Sequence, residues 1–337
     1  MKLKSDSIEI ITDGSRKYEL LIRDLENARE SISIEYFLFS YDSGARAVLD
    51  VLKKKAREGV KVRFLSENVI NCIYLPFYLR PLRKAGVDVR YFTPFRKLFT
   101  TFNQRNHRKI VVIDDRIGYI GGMNINNRYF WEWRDTHLRV EGPAVAQMHG
   151  ASVDGPIKVI FDGPDQPDHP IIAAFEQALA DARYYIYIQT PYFTPTPRQM
   201  DLMADAANRG VDVRIMLPRT QQKITFFMRG VGRRYYPECL RRGIRIYERI
   251  GPFMHSKTFV CDDFLSCIGS ANIDWRSCRK NYEANAYIYD REAALENKRI
   301  FMQDLAVSEE MTLDIAGRWG AIRRFWHRLV NLFAPLL

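Results

Sequence analysis

His107 and Lys109 stand two residues apart, and His255 and Lys257 repeat that spacing 148 residues later. Each histidine is followed at 7 residues by an aspartate (Asp114, Asp262), at 17 by an asparagine (Asn124, Asn272) and at 28 by an acid (Asp135, Glu283). Five chemically informative positions match without a gap, which marks an internal duplication. Two imidazoles, two ammonium groups and two amides suit phosphodiester chemistry that needs neither a metal ion nor a cofactor. Lysines and amides hold the phosphoryl oxygens, one histidine attacks phosphorus, and the other protonates the departing alcohol. A purely structural duplication need not keep polar residues at matching positions, so the repeat points to function.

Local patterns show how these side chains are carried. Residues 109–114 and 257–262 are short, largely apolar runs rich in β-branched residues, and each predicts a buried strand. Residues i and i+2 of a strand share a face, so the His and Lys of each motif project together. The aspartate has the opposite parity, where the strand meets a turn, which favours a structural role for Asp114 and Asp262. A second short strand follows in each half (residues 117–120 and 265–268). The small residues after it let the backbone approach an anion, with Asn124 or Asn272 adding an amide donor.

The flanking chain alternates strand and helix patterns. Strands are predicted at 8–11, 32–39, 60–64 and 86–92, with helices along Tyr18, Leu21, Leu25 and Ala28, across 45–56, and within 76–84. The second half repeats the order. Its strands fall at 157–161, 185–189 and 211–216, and its helices along Ile172, Phe175, Leu179 and Ala182 and across 200–208. This predicts an α/β fold of two pseudo-equivalent halves, residues 1–152 and 153–337. Each is expected to be a mainly parallel sheet flanked by helices, with one shared active site between them.

The 51 Lys and Arg against 40 Asp and Glu give a formal charge of +11, which predicts an anionic partner: nucleic acid, an acidic membrane surface or a phosphorylated substrate. Basic residues mixed with aromatics precede both motifs. The first group is Arg80, Arg83, Lys84, Arg90, Arg96, Lys97 and Arg105, the second Arg229, Arg233, Arg234, Arg241, Arg242, Arg245 and Arg249; both predict an electropositive approach to the site. Charge does not choose between lipid and nucleic acid. No apolar run nears the ~20 residues that span a bilayer, and residue 1 opens no secretory leader. Five cysteines without a C-x-x-C pair predict thiols in a reducing compartment. Residues 315–332 set Trp319, Ile322, Phe325 and Trp326 among arginines at helical spacing, which fits core packing or a helix lying in a membrane interface.

His-x-Lys-x4-Asp twice, each followed by Gly-(Gly/Ser)-x-Asn, resembles the phospholipase D superfamily over nearly the whole chain. Arg105-Asn106-His107-Arg108-Lys109, Trp133-Arg134-Asp135-Thr136-His137, Thr190-Pro191-Tyr192-Phe193 and Asn281-Tyr282-Glu283-Ala284-Asn285 look like bacterial cardiolipin synthases. The resemblance implies two phospholipase D-like halves and an enzyme that joins two phosphatidylglycerols into cardiolipin, releasing glycerol, through a covalent phosphatidyl-histidine. It implies a catalytic set of His107, Lys109, Asp114, His255, Lys257 and Asp262. His107 would be the nucleophile and His255 the general acid, then base; near symmetry leaves the reverse assignment open. Lys109, Lys257, Asn124 and Asn272 would hold the phosphate, and Asp135 and Glu283 would orient the imidazoles through their second ring nitrogen.

The implied partners are phosphatidylglycerol and other anionic lipids, met peripherally at the cytoplasmic side of a bacterial inner membrane. Neither nucleic acid nor an obligatory protein partner is expected. Family members usually begin with two membrane-spanning helices, which this sequence does not show. A hydrolytic phospholipase D, or a nuclease or phosphodiesterase of the same superfamily, would share the catalytic residues. His137, His149, His169 and His327 lack repeat partners and are left outside the chemistry.

Overall fold

A computed structural model describes residues 2–3, 5–67, 70–92, 103–220 and 226–317. Arg96, Lys97 and the tryptophan-bearing stretch from Trp319 onward lie outside the described residues. The chain forms two compact units. One comprises Met1–Phe161 with Ile268–Ser270 and Asn281–Tyr287; the other comprises Asp162–Cys267, Ala271–Lys280 and Ile288–Leu337. Three stretches beyond residue 152 therefore fold with the first unit: 153–161, Ile268–Ser270 and Asn281–Tyr287.

The first unit opens with β1 (Lys2–Leu3), β2 (Asp6–Ile11), α1 (Gly14–Glu26), β3 (Ser31–Tyr36), α2 (Ser43–Arg57), β4 (Lys61–Ser66), α3 (Leu75–Lys84) and β5 (Asp88–Tyr91). It continues through β6 (Arg105–Asn106), β7 (Lys109–Ile113), β8 (Ile117–Gly121), α4 (Asn127–Trp131) and β9 (His137–Glu141). Asp13 caps α1 by accepting from the Ser15 N–H at 2.8 Å, and Asp42 caps α2 through the Ala45 N–H at 3.0 Å. Both helices turn an apolar stripe to the sheet: Leu21, Leu25, Val48 and Leu52 are fully buried, each worth about 1.5–3 kcal/mol of transfer free energy.

Strand order in this unit is β1-β2-β9-β8-β7-β3-β4-β5. The sheet is not mainly parallel, contrary to expectation. Only β3, β4 and β5 run parallel, joined by α2 and α3, while β7 pairs antiparallel with both β3 and β8, and β9 with both β8 and β2. Connection length explains it. A helix can carry the chain back over the sheet, but the three residues between β7 and β8 permit only a hairpin.

Beyond β10 (Ile157–Asp162), the second unit contains β11 (Tyr185–Gln189), β12 (Asp212–Pro218), β13 (Arg245–Arg249) and β14 (Thr258–Cys261). After β15 (Leu265–Gly269) and β16 (Asn281–Tyr289), β17 (Ser308–Met311) lies at the far edge against β13. Here too the parallel part is the central run β11-β12-β13, with β14 antiparallel on one side and β17 on the other. The duplication is preserved in register: Ile32 faces Ile113 in the first unit as Ile186 faces Cys261 in the second. Among the described residues no helix is long and apolar enough to cross a membrane.

Candidate active site

His107 is delivered by a short strand pairing. β6 runs parallel to the start of β16, with Arg105 opposite Asn281 and Asn106 opposite Tyr282. The His107 N–H then donates to the Tyr282 carbonyl at 2.9 Å, which brings the imidazole level with Glu283. Nδ1 of His107 lies 3.0 Å from Oε2 and 3.1 Å from Oε1 of that carboxylate. Glu283 is fully buried and also accepts from Ser270 Oγ at 2.6 Å and Asn281 Nδ2 at 3.2 Å. Burial alone would raise its pKa. The His107 imidazole, the Lys109 ammonium and the Ser270 hydroxyl outweigh burial and hold it below the usual carboxylate range. With Nδ1–H donating to an anion, the imidazole lone pair sits on Nε2, the tautomer a nucleophile needs.

The surrounding groups lock this loop. Lys109 is buried and donates back to the His107 carbonyl, and the Phe37 ring packs edge-on to His107 with centroids 4.8 Å apart. Asn106 Nδ2 donates to Glu35 at 2.5 Å, and the Arg108 guanidinium lies over Phe161 at 4.9 Å. The second motif folds back in the same way: Lys257 Nζ donates to the His255 carbonyl at 2.5 Å. That ammonium also lies 2.9 Å from Nδ1 and 3.0 Å from Nε2 of the His255 ring, and both side chains are buried.

The two asparagines are buried but held differently. Asn124 Oδ1 accepts the Leu38 N–H at 3.0 Å, which orients the amide nitrogen away from that strand. Asn272 is anchored through its backbone N–H to Ser277 Oγ at 3.1 Å, and its Oδ1 is buried with no partner among the described residues. Asp135 is fully buried and accepts the Thr136 N–H at 2.7 Å. Gly122 makes room for it: a Cβ there would lie 2.2 Å from Asp135 Oδ1.

The motif aspartates are each held by three backbone N–H groups. Asp114 accepts the N–H groups of Arg29, Glu30 and Ser31 at 2.9, 2.8 and 2.9 Å. Asp262 does the same for Arg183, Tyr184 and Tyr185 at 2.7, 2.9 and 2.9 Å. Both residues have φ of +51°, a left-handed turn that Asp tolerates. Each carboxylate ties the hairpin after its motif strand to the start of the neighbouring strand.

Sequence reasoning missed Lys17 and set His137 aside. Lys17 is fully buried, donates to the Met123 carbonyl at 3.1 Å and lies 4.9 Å from the Tyr36 ring centroid. His137 Nδ1 accepts the N–H of the same Met123 at 3.3 Å. The two side chains therefore hold both backbone polar groups of Met123, in the turn that presents Asn124. Burial pulls Lys17 down to about 7, against the raising pull of Asp135. Burial, Lys17 and Lys109 depress His137 well below the ordinary imidazole value, so it is neutral. A signal existed: Lys17 lies one helical turn before Leu20 and Leu21, on the apolar stripe of α1.

Four arginines of the second basic group pair with carboxylates of their own unit, while Arg234 and Arg241 stay exposed. Arg233 binds Glu248 at 2.5 and 2.7 Å, Arg249 binds Asp304 at 2.6 Å, Arg245 binds Glu310 at 2.9 Å and Arg242 binds Asp201 at 2.8 Å. In the first group Arg105 is buried, whereas Arg80, Arg83 and Lys84 stay exposed.

The family described as "Cardiolipin synthase, PLD-like domain" matches residues 21–153 and 175–305, so two phospholipase D-like domains make up the chain. A cardiolipin synthase of Alkalihalophilus pseudofirmus is 33% identical over 372 residues, covering 99% of this chain and 73% of its own length. A cardiolipin synthase of Staphylococcus aureus is 33% identical over 368 residues, covering 98% and 74%. The solved phosphatidylserine synthase of Haemophilus influenzae shares the fold, with a TM-score of 0.76 over 98% of this chain and 95% of that one at 14% identity. The chain belongs to the cardiolipin synthases of the phospholipase D superfamily, a family of phosphatidyltransferases in phospholipid biosynthesis.

Proposed function

We propose that the protein joins two phosphatidylglycerol molecules into cardiolipin and glycerol, through a phosphatidyl-histidine and without a metal ion. The observation that carries this reading is His107 Nδ1 held by a buried, ionised Glu283, which makes Nε2 the nucleophilic nitrogen. In the first step Nε2 of His107 forms a bond to phosphorus, the bond from phosphorus to the glycerol oxygen breaks, and His255 gives that oxygen a proton. In the second step the hydroxyl of another phosphatidylglycerol attacks phosphorus and gives its proton to His255, and the bond to His107 breaks. Lys109, Lys257, Asn124 and Asn272 stabilise the charge on the phosphoryl oxygens. Asp135, the repeat counterpart of Glu283, takes the corresponding orienting role.

Transfer to a lipid rather than to water requires that water be kept from the intermediate. The reaction accordingly belongs at the surface of a bacterial membrane, with the protein bound peripherally on the cytoplasmic side. No protein partner is required for either step. Phosphatidylglycerol vesicles should yield cardiolipin and glycerol with little phosphatidic acid. Acid quenching should trap labelled phosphatidyl on the parent protein but not on His107→Ala. Chelators should leave the rate unchanged. Phosphatidic acid as the main product at every lipid density would make the protein a hydrolase instead. Label trapped on His107→Ala but absent from His255→Ala would reverse the two histidines.

A further inference from the structure

We infer that the tip formed by Tyr41, Ile70, Ile73 and Phe77, backed by Arg80, Arg83 and Lys84, docks the protein onto an anionic phospholipid bilayer. This deepens the proposed function and rests on its premise that the substrates are membrane lipids. Ile73, in the turn before α3, is 71% exposed and Phe77, in its first turn, 55%, and Phe77 stacks on Tyr41 with centroids 5.2 Å apart. Ile70 adds a second aliphatic side chain in the turn that leads into the helix. Four exposed large apolar side chains at one tip are costly in water unless something covers them.

Charge selects the occupant. Between Glu67 and Asp88 the chain has no acidic residue, and Glu67 is itself buried. Arg80, Arg83 and Lys84 follow the apolar tip along α3, are exposed, and make no ion pair among the described residues. Arg233, Arg242, Arg245 and Arg249 of the second group, by contrast, are neutralised by carboxylates of the same chain. An apolar wedge with unneutralised cations beside it matches the layering of an anionic membrane, with acyl chains inside and phosphates at the rim.

The tip is also mechanically tied to the site. It emerges from the C-terminal end of β4, the same end of the sheet at which Lys109 pairs with Tyr36 of β3. Asn71, between Ile70 and Ile73, accepts the Phe39 N–H at 2.9 Å and donates to the Phe37 carbonyl at 3.0 Å. Phe37 packs on His107, and the intervening Leu38 N–H holds Asn124. A bilayer seated on the tip is thus one side chain removed from the segment that supports the nucleophile and the phosphate-facing amide.

The test uses the full chain and sedimentation with phosphatidylcholine vesicles, with or without phosphatidylserine, an anionic lipid that is not the substrate. Replacing Ile73 and Phe77 together by Ser should weaken binding about tenfold or more on both vesicle types. Replacing Arg80, Arg83 and Lys84 by Gln should weaken it about a hundredfold on phosphatidylserine vesicles only. Turnover of monomeric short-chain phosphatidylglycerol should match the parent in both variants, which also reports that they are folded. Parental vesicle binding by both variants would overturn the inference. So would an equal loss of turnover on monomeric substrate, or a dimer that the Ser variant dissociates while vesicle binding is unchanged. If the parent fails to make cardiolipin, the vesicle measurements still decide the docking surface.

Discussion

Glu283 reaches His107 across 176 residues of sequence, with both carboxylate oxygens within 3.1 Å of Nδ1. By spacing Glu283 belongs to the second copy of the motif, yet its carboxylate serves the histidine of the first. The orienting acid and its imidazole are therefore supplied by different copies of the duplication.

Glu283→Gln keeps the side-chain shape but removes the anion, and should lower kcat by about two to four orders of magnitude, with a smaller change in KM. Its pH signature has a defined sign. The folded pKa lies below the ordinary value of 4.5, so the carboxylate's contribution is complete above that value and is lost as pH falls through the depressed one. Acid unfolding of the parent should contain this component and that of Glu283→Gln should lack it. Superimposable acid-unfolding curves would remove the ion pair from the account.

Asp114→Asn and Asp262→Asn should act on stability rather than on chemistry. Asn tolerates the left-handed turn, so only the anionic acceptor of three backbone N–H groups is lost. Each substitution should cost about 1–3 kcal/mol in urea unfolding. Turnover per folded molecule should remain close to the parent's. A loss comparable to that of His107→Ala would return the aspartates to the reacting centre.

Lys17→Met probes the grip on Met123. The folded protein gives up the Lys17 proton near pH 7, whereas the unfolded chain keeps it until about 10.5. Between those values the unfolded state binds more protons, so this residue makes stability rise with pH. Urea unfolding at several pH values should show that rise in the parent and a flatter profile in Lys17→Met. The variant should also lose turnover, because the turn bearing Asn124 loses one of its two holds. An equal pH slope in both proteins would contradict the assignment.

Gly122→Ala should disable the enzyme through Asp135, since the added Cβ falls 2.2 Å from Oδ1 and the carboxylate must move. Activity should fall by about tenfold or more, and Asp135→Asn should add little in the Gly122→Ala background, because the two changes strike one interaction. Fully additive losses in the double mutant would show that the glycine acts elsewhere.

Much of this protein is legible in its sequence because much of it is local. The paired histidines, lysines and asparagines, the strand after each motif and the alternation of helices follow from spacing and hydrophobic period, which neighbouring residues set among themselves. Strand parity alone separated Asp114 and Asp262 from the histidines, because a two-residue period puts odd and even positions on opposite faces. Strand direction was not legible in the same way. The alternation of strands and helices suggested a mainly parallel sheet, but β9 enters between β2 and β8, and only long-range pairing could place it there.

The sequence by itself determined which chemically able side chains recur and at what spacing, and so which histidine, lysine and amide groups the proposed phosphodiester chemistry would use. Tertiary structure alone decided the partnerships. It brought Glu283 to His107, buried Lys17 against Met123, and neutralised Arg233, Arg242, Arg245 and Arg249 while leaving Arg80, Arg83 and Lys84 exposed. The reason is physical. The types and spacing of side chains are properties of the chain, but the energy of a charge depends on what folding places within a few ångströms of it and on how much water remains.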